Sequence, residues 1–155
     1  GLILFTLATL FSQEKPKWDV SNPSGSVPYQ DVEFTTNEGT WMCLDVSPDG
    51  KTILFDMLGD IYTMPVSGGT ATCIRQGLAW EVQPRFSPDG SKISFTSDAG
   101  GGDNIWYMNA DGTNAKQITK EGFRLLNNAE WIDDQDFLIG KNHPDFPQYS
   151  QFMPG

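Results

Sequence analysis

Few residues in this sequence have side chains able to act on a substrate, and their spacing limits what they could do. His143 is the only histidine. A metal centre that activates water is assembled from several histidine and carboxylate ligands, so a single histidine cannot build one. A Ser-His-Asp triad through His143 is formally open, but no Gly-x-Ser-x-Gly elbow is present to display the serine. Asp133 and Asp134 could form an acid–base pair or a metal site; the competing reading is a solvated turn. Asp98 and Asp103 flank Gly100, Gly101 and Gly102. An acidic glycine loop can hold calcium, yet this spacing fits no calcium-loop pattern, and capping of a hairpin by the carboxylates is the alternative. The sequence therefore predicts no catalytic residue and no metal ligand in this chain.

The elements that would position such groups repeat. Ser47-Pro48-Asp49-Gly50 recurs 40 residues later as Ser87-Pro88-Asp89-Gly90, with Ile53 and Phe55 answering Ile93 and Phe95. After a longer loop, Ile61, Tyr62 and Met64 answer Ile105, Trp106 and Met108, and Gly69-Thr70 answers the turn at Asp111, Gly112 and Thr113. A period of about 40 to 45 residues is that of propeller blades. In each Ser-Pro-Asp-Gly, proline presets φ, aspartate bonds nearby backbone, and glycine takes the positive φ of a three-residue hairpin loop with a bulge. TILFD and KISFT alternate apolar and polar as half-buried strands do, with first strands at Trp41 to Val46 and Gln83 to Phe86. DIYTM and NIWYM supply third strands, TATCI and AKQIT fourth ones. A weaker third repeat begins at Ala129, where AEWIDDQDFLIG sets Trp131 against Phe86 and Asp134 against Asp89. The expected fold is all-β: a β-propeller of four-stranded antiparallel blades, incomplete, with about two and a half blades present.

These residues resemble the TolB-type propeller repeat, roughly P-x-F-S-P-D-G-x-x-I-x-F-x-S, a loop, then D-I-W-x-M-x-x-D-G and a final L-T. The second repeat matches from Pro84 to Thr119; the first departs where Phe55-Asp56-Met57 replaces Phe-x-Ser. Further, KWDVSNPSG, EFTTNEGTWM and GLAWEVQPRFSPDG are similar to the N-terminal propeller of large secreted bacterial amidohydrolases, over roughly Lys17 to Ile139. That resemblance implies a hydrolase barrel with a divalent metal, zinc, outside these residues, and no cofactor within them.

Residues 1–12, GLILFTLATLFS, read as the end of a secretory signal peptide, with a buried N-terminal strand as the alternative; residues 13–30 read as an extended, proline-bearing linker. The remaining expectations are an N-terminal strand in 31–40 at DVEFTT, blade 1 over 41–78, blade 2 over 79–122, the start of blade 3 over 123–140, and an off-pattern tail over 141–155. Two and a half blades do not close a ring, so the chain is expected to be a fragment whose partner is the rest of the same polypeptide; a natural irregular C-terminal arm is the alternative for the tail. Cys43 and Cys73 fall on the first and fourth strands of one blade, beyond a disulfide's reach given a strand spacing of about 4.8 Å, and are expected as two buried free thiols. Trp41, Trp106 and Trp131 sit at strand positions that blade packing explains, whereas Trp80 is placed to contact a protein partner.

Twenty acidic against ten basic residues, for a net charge of −10, argue against nucleic acid and anionic lipid as partners, and no stretch is long enough to span a membrane. Three functions fit: a non-catalytic propeller of a secreted or periplasmic amidohydrolase, acting in domain packing, substrate access or protein interaction; a free periplasmic TolB-like interaction protein; and the propeller of a prolyl-oligopeptidase-type serine peptidase.

Overall fold

The computed structural model describes residues 32–122, 126–134, 137–141 and 148–152. Blade 1 is the sheet β1 (Leu44–Val46), β2 (Thr52–Met57), β3 (Asp60–Pro65) and β4 (Thr72–Arg75), in that spatial order. Blade 2 repeats it with β5 (Glu81–Phe86), β6 (Lys92–Ser97), β7 (Asn104–Asn109) and β8 (Lys116–Gln117). Every neighbouring pair is antiparallel, with Phe55 opposite Tyr62 and, at the matching place, Phe95 opposite Trp106. Residues directly opposite share a face, so both pairs stack, at centroid separations of 5.5 and 6.5 Å.

The blades pack face to face because alternation gives each sheet two apolar faces. Leu54 and Ile61 of blade 1 meet Ile93, Phe95 and Met108 of blade 2 in one core, and all five are essentially inaccessible. Fully burying side chains of this size stabilises by about 2 kcal/mol each. The other face of blade 2 presents Ile105 to Leu126 and Ala129, with Tyr107, Ile118 and Trp131 at the margin.

Several expectations are corrected. Blade 3 comprises β9 (Leu126–Trp131), β10 (Phe137–Lys141) and β11 (Gln148–Phe152), and so runs on past residue 140. The off-pattern tail thus contains a strand, paired to β10 from Phe137–Phe152 to Lys141–Gln148; prolines at 144, 147 and 154 make so short a strand read as loop. The first strand of blade 1 spans only Leu44–Val46. Trp41 stands outside it, fully exposed and at φ 58°, which turns its side chain off the sheet instead of into blade packing. Val32 to Thr36 form no strand, since a strand needs a ladder partner and none pairs with this segment among the described residues. The thiols are free as expected, but Cys43 is half-buried and Cys73 exposed, because β4 is the outer edge of its sheet. The leader and linker readings and His143 lie outside the described residues.

Candidate interaction surface

The two Ser-Pro-Asp-Gly turns are built identically. Gly50 N–H donates to Ser47 C=O and Gly90 N–H to Ser87 C=O, each at 2.8 Å, with the glycines at φ 71° and 73°. The ladder resumes at Ser47–Thr52 and Ser87–Lys92, both 2.9 Å, so each loop encloses four residues where three were expected. The serine hydroxyls donate to Asp49 at 2.7 Å and to Asp89 at 2.6 Å, while the same oxygens accept the Thr52 and Lys92 amides. The Ser87 hydroxyl, followed by the Ser91 amide, holds the Asp89 carboxyl down at about 2. Ser47 lowers Asp49, and Thr113 lowers Asp111 in the Asp111-Gly112 turn. These aspartates spend their lone pairs on their own turns, and Pro88 is simply exposed on its tip. Between the turns runs a groove of about 620 Å³ lined by Pro48, Asp49, Phe86 and Asp89.

Carboxylates also tie one blade to the next, which the sequence did not reveal. Asp56, buried in β2, accepts Cys43 N–H at 3.1 Å within its own blade and Gln83 N–H at 2.7 Å in blade 2. Asp45 accepts Phe86 N–H at 2.8 Å, and Asp134 accepts Asp89 N–H at 2.7 Å. Asp134 is therefore a turn residue bonded across blades, and Asp133 beside it is exposed. Gln83 sits at φ 57° in a bulge of β5, where the register shifts between Val82 and Arg85; the bulge accommodates Pro84 in the strand. Glu81, only 1% exposed, pairs with Arg75 at 2.8 Å and accepts from Ser97. Burial raises its pKa, with Arg75 pulling the other way. No group of three or more His, Cys, Asp or Glu is placed to hold a metal among the described residues. Asp98 accepts the Trp80 amide at 2.8 Å, so its carboxylate ties its own loop to the one before β5 instead of capping its own hairpin.

At the opposite end of the blades from the Pro-Asp-Gly turns, Trp80 is 56% exposed, as its placement before the second repeat suggested. Two neighbours escaped notice: Leu58, 70% exposed, and Leu78, 56% exposed. The signal was available for Leu58, since a leucine stands in the Met57-Leu58-Gly59-Asp60 turn where Asn, Asp or Gly is the usual choice.

One flank of blade 1 faces away from blade 2. It carries Val46, Ile53, Phe55, Tyr62 and Met64, which occupy the positions of Phe86, Ile93, Phe95, Trp106 and Met108 in the repeat. In blade 2 those positions pack on blade 1, whereas in blade 1 Val46 and its neighbour Leu44 are 50% and 56% exposed.

Comparison with known proteins agrees with this architecture. The chain is 35% identical over 81 residues to an uncharacterized protein, Atu1656, of Agrobacterium fabrum, the match covering 50% of this chain and 28% of that one. It is 31% identical over 87 residues to Tricorn protease homolog 1 of Streptomyces coelicolor, covering 56% of this chain and 8% of the relative. The crystal structure of TolB from Acinetobacter baumannii superposes with a TM-score of 0.62 at 24% identity, over 74% of this chain and 30% of that one. The chain thus spans under a third of each of these proteins. Among the described residues no helix is long and apolar enough to cross a membrane. The family model of the TolB beta propeller domain matches residues 13–147, and the chain belongs to that family.

Proposed function

We propose that this chain is a non-catalytic segment of a larger TolB-type propeller, acting through domain packing and protein interaction at the front of a secreted or periplasmic polypeptide. The observation that carries the reading is the flank of blade 1. Val46, Ile53, Phe55, Tyr62 and Met64 repeat the residues with which blade 2 covers Leu54 and Ile61; Val46 is exposed and Ile53, Tyr62 and Met64 are half-buried, so a further blade is the surface that would complete their burial. The partial coverage of the relatives supports the same view. The finer reading, an amidohydrolase parent, rests on KWDVSNPSG and EFTTNEGTWM, which lie outside the shared repeat. In that parent a divalent metal, zinc, would sit in a barrel beyond these residues, and the apolar residues 1–12 support export. The likeness to Tricorn protease homolog 1 favours a second reading, the propeller of a peptidase.

The test is the mass of the native polypeptide in its source cells, by immunoblot against blade 2 with peptide mapping of the band. A band far above 17.2 kDa with histidine-rich barrel peptides supports the amidohydrolase. A Gly-x-Ser-x-Gly peptide supports the peptidase, and further blades alone support a free TolB-like protein. A band near 17 kDa overturns the larger-polypeptide reading.

A further inference from the structure

Several features coincide at the end of blade 1 remote from the Pro-Asp-Gly turns. Leu58 and Gly59 are the two central residues of the β2–β3 turn, at φ 56° and 88°. For a leucine the left-handed conformation costs about 1 to 2 kcal/mol, and this side chain is then 70% exposed. Neither the turn nor the core gains from it, and backbone strain of this kind points toward function when it is observed. Leu78 and Trp80, each 56% exposed, flank the same turn. The mounting is firm: a Cβ on Gly59 would stand 2.9 Å from the Trp80 ring. The Trp80 amide is held by Asp98 at 2.8 Å, and Glu81 N–H donates to Gly59 C=O at 3.0 Å. The apolar centre is rimmed by acid. Asp60 accepts the Gly77 amide at 3.1 Å, Asp98 accepts the Trp80 amide, and Asp103 and Glu121 belong to the next loops at this end. Among the described residues the basic groups here are Arg75, already held by Glu81, and Lys120.

We propose that Leu58, Leu78 and Trp80 form the centre of a docking surface for a protein segment that carries aliphatic or aromatic anchors flanked by lysine or arginine. Tryptophan anchors ringed by polar groups dominate the energetics of such contacts, and the acidic rim selects basic flanks while disfavouring anionic lipid. The inference rests on the interaction reading above and assigns it a place and a partner class.

The experiment uses the full 155-residue chain and a fluorescent twelve-residue probe peptide with leucine and tryptophan anchors between lysines, read by anisotropy. The matched peptide with glutamate in place of lysine serves as control. Leu58→Asn is the informative variant, because asparagine suits the left-handed turn: its thermal midpoint should hold or rise while the probe dissociation constant rises at least fivefold. Trp80→Ala should raise it about tenfold. Pro88→Ala, on an exposed turn at the opposite end of the blades, should leave it unchanged. Equal binding of the glutamate peptide, wild-type affinity in Leu58→Asn, or no binding at all overturns the proposal, as does tighter binding to phosphatidylglycerol vesicles that Leu58→Asn abolishes. Because the mass and peptide map of the native polypeptide are measured separately, a failed docking test with a large parent sinks only this surface.

Discussion

Replacing Asp56 by alanine is the sharpest probe of how successive blades are joined. The carboxylate is 3% exposed and accepts two backbone amides, Cys43 at 3.1 Å and Gln83 at 2.7 Å. Hydrogen bonds to charged acceptors contribute about 1.5 to 3 kcal/mol each. Both amides are only partly buried, so water can reach them once the carboxylate is gone, and the lower figure applies. Two bonds at that value give about 3 kcal/mol of lost stability. With a urea slope of about 2 kcal/mol/M, the unfolding midpoint should fall by about 1.5 M. Asp56→Asn keeps one acceptor and turns an NH2 toward the other amide, so about half that loss is expected. Asp49→Ala, which removes an exposed turn carboxylate, is the control. Hydrogen exchange should localise the effect, with the Gln83 amide accelerated more than the Ile93 amide inside blade 2. An Asp56→Ala midpoint indistinguishable from that of Asp49→Ala would refute the argument that this carboxylate clasps the blades.

Three further outcomes follow from the geometry. A methyl group on Gly112, at φ 87°, would collide with the Ile74 carbonyl of blade 1, whereas one on Gly50, at φ 71°, meets nothing; Gly50→Ala should lower stability by about 1 kcal/mol and Gly112→Ala by clearly more in the same urea titration. Arg75→Ala strands the buried Glu81 carboxylate and should cost about 3 kcal/mol. The double variant Arg75→Met with Glu81→Leu, which gives position 81 the residue type of Leu126, its counterpart in blade 3, should leave the midpoint nearly unchanged, as replacing both partners of a buried ion pair by hydrophobes often does. Asp89, held at about 2 by Ser87 and Ser91, has a folded pKa below its unfolded value near 3.9. Its contribution is therefore fully present above about pH 4 and is lost as pH falls through about 2. The native carboxyl carbon should titrate near 2 by NMR, and Ser87→Ala should move that midpoint upward; a native midpoint near 4 would contradict the turn geometry.

What the sequence disclosed and what it withheld separate by range. The Ser-Pro-Asp-Gly turns were legible because the bonds that close them lie within five residues, as in the Ser87 bonds to Asp89 and Lys92. The alternation that marks KISFT as a strand puts Ile93 and Phe95 on one face, whereas Ile53, Leu54 and Phe55 run on as consecutive apolar residues, and only the stacking of the sheets shows that Leu54 is the one that meets Ile93 and Phe95. The clasps at Asp45 and Asp56 were not legible, since they reach 41 and 27 residues along the chain. Only the stacking of one sheet on the next determines which amide each carboxylate meets. Trp41 and Trp80 show the limit most clearly. Both are exposed tryptophans near the start of a blade, and sequence position assigned the first to packing and the second to a partner. The difference lies in the backbone: at Trp41 a left-handed residue turns the side chain away before the ladder begins, whereas Trp80 is pinned by Asp98 and rests on a glycine turn. An exposed aromatic on a fixed frame loses little entropy when a partner covers it. That makes Trp80, and not the more exposed Trp41, the residue whose removal should be felt in binding.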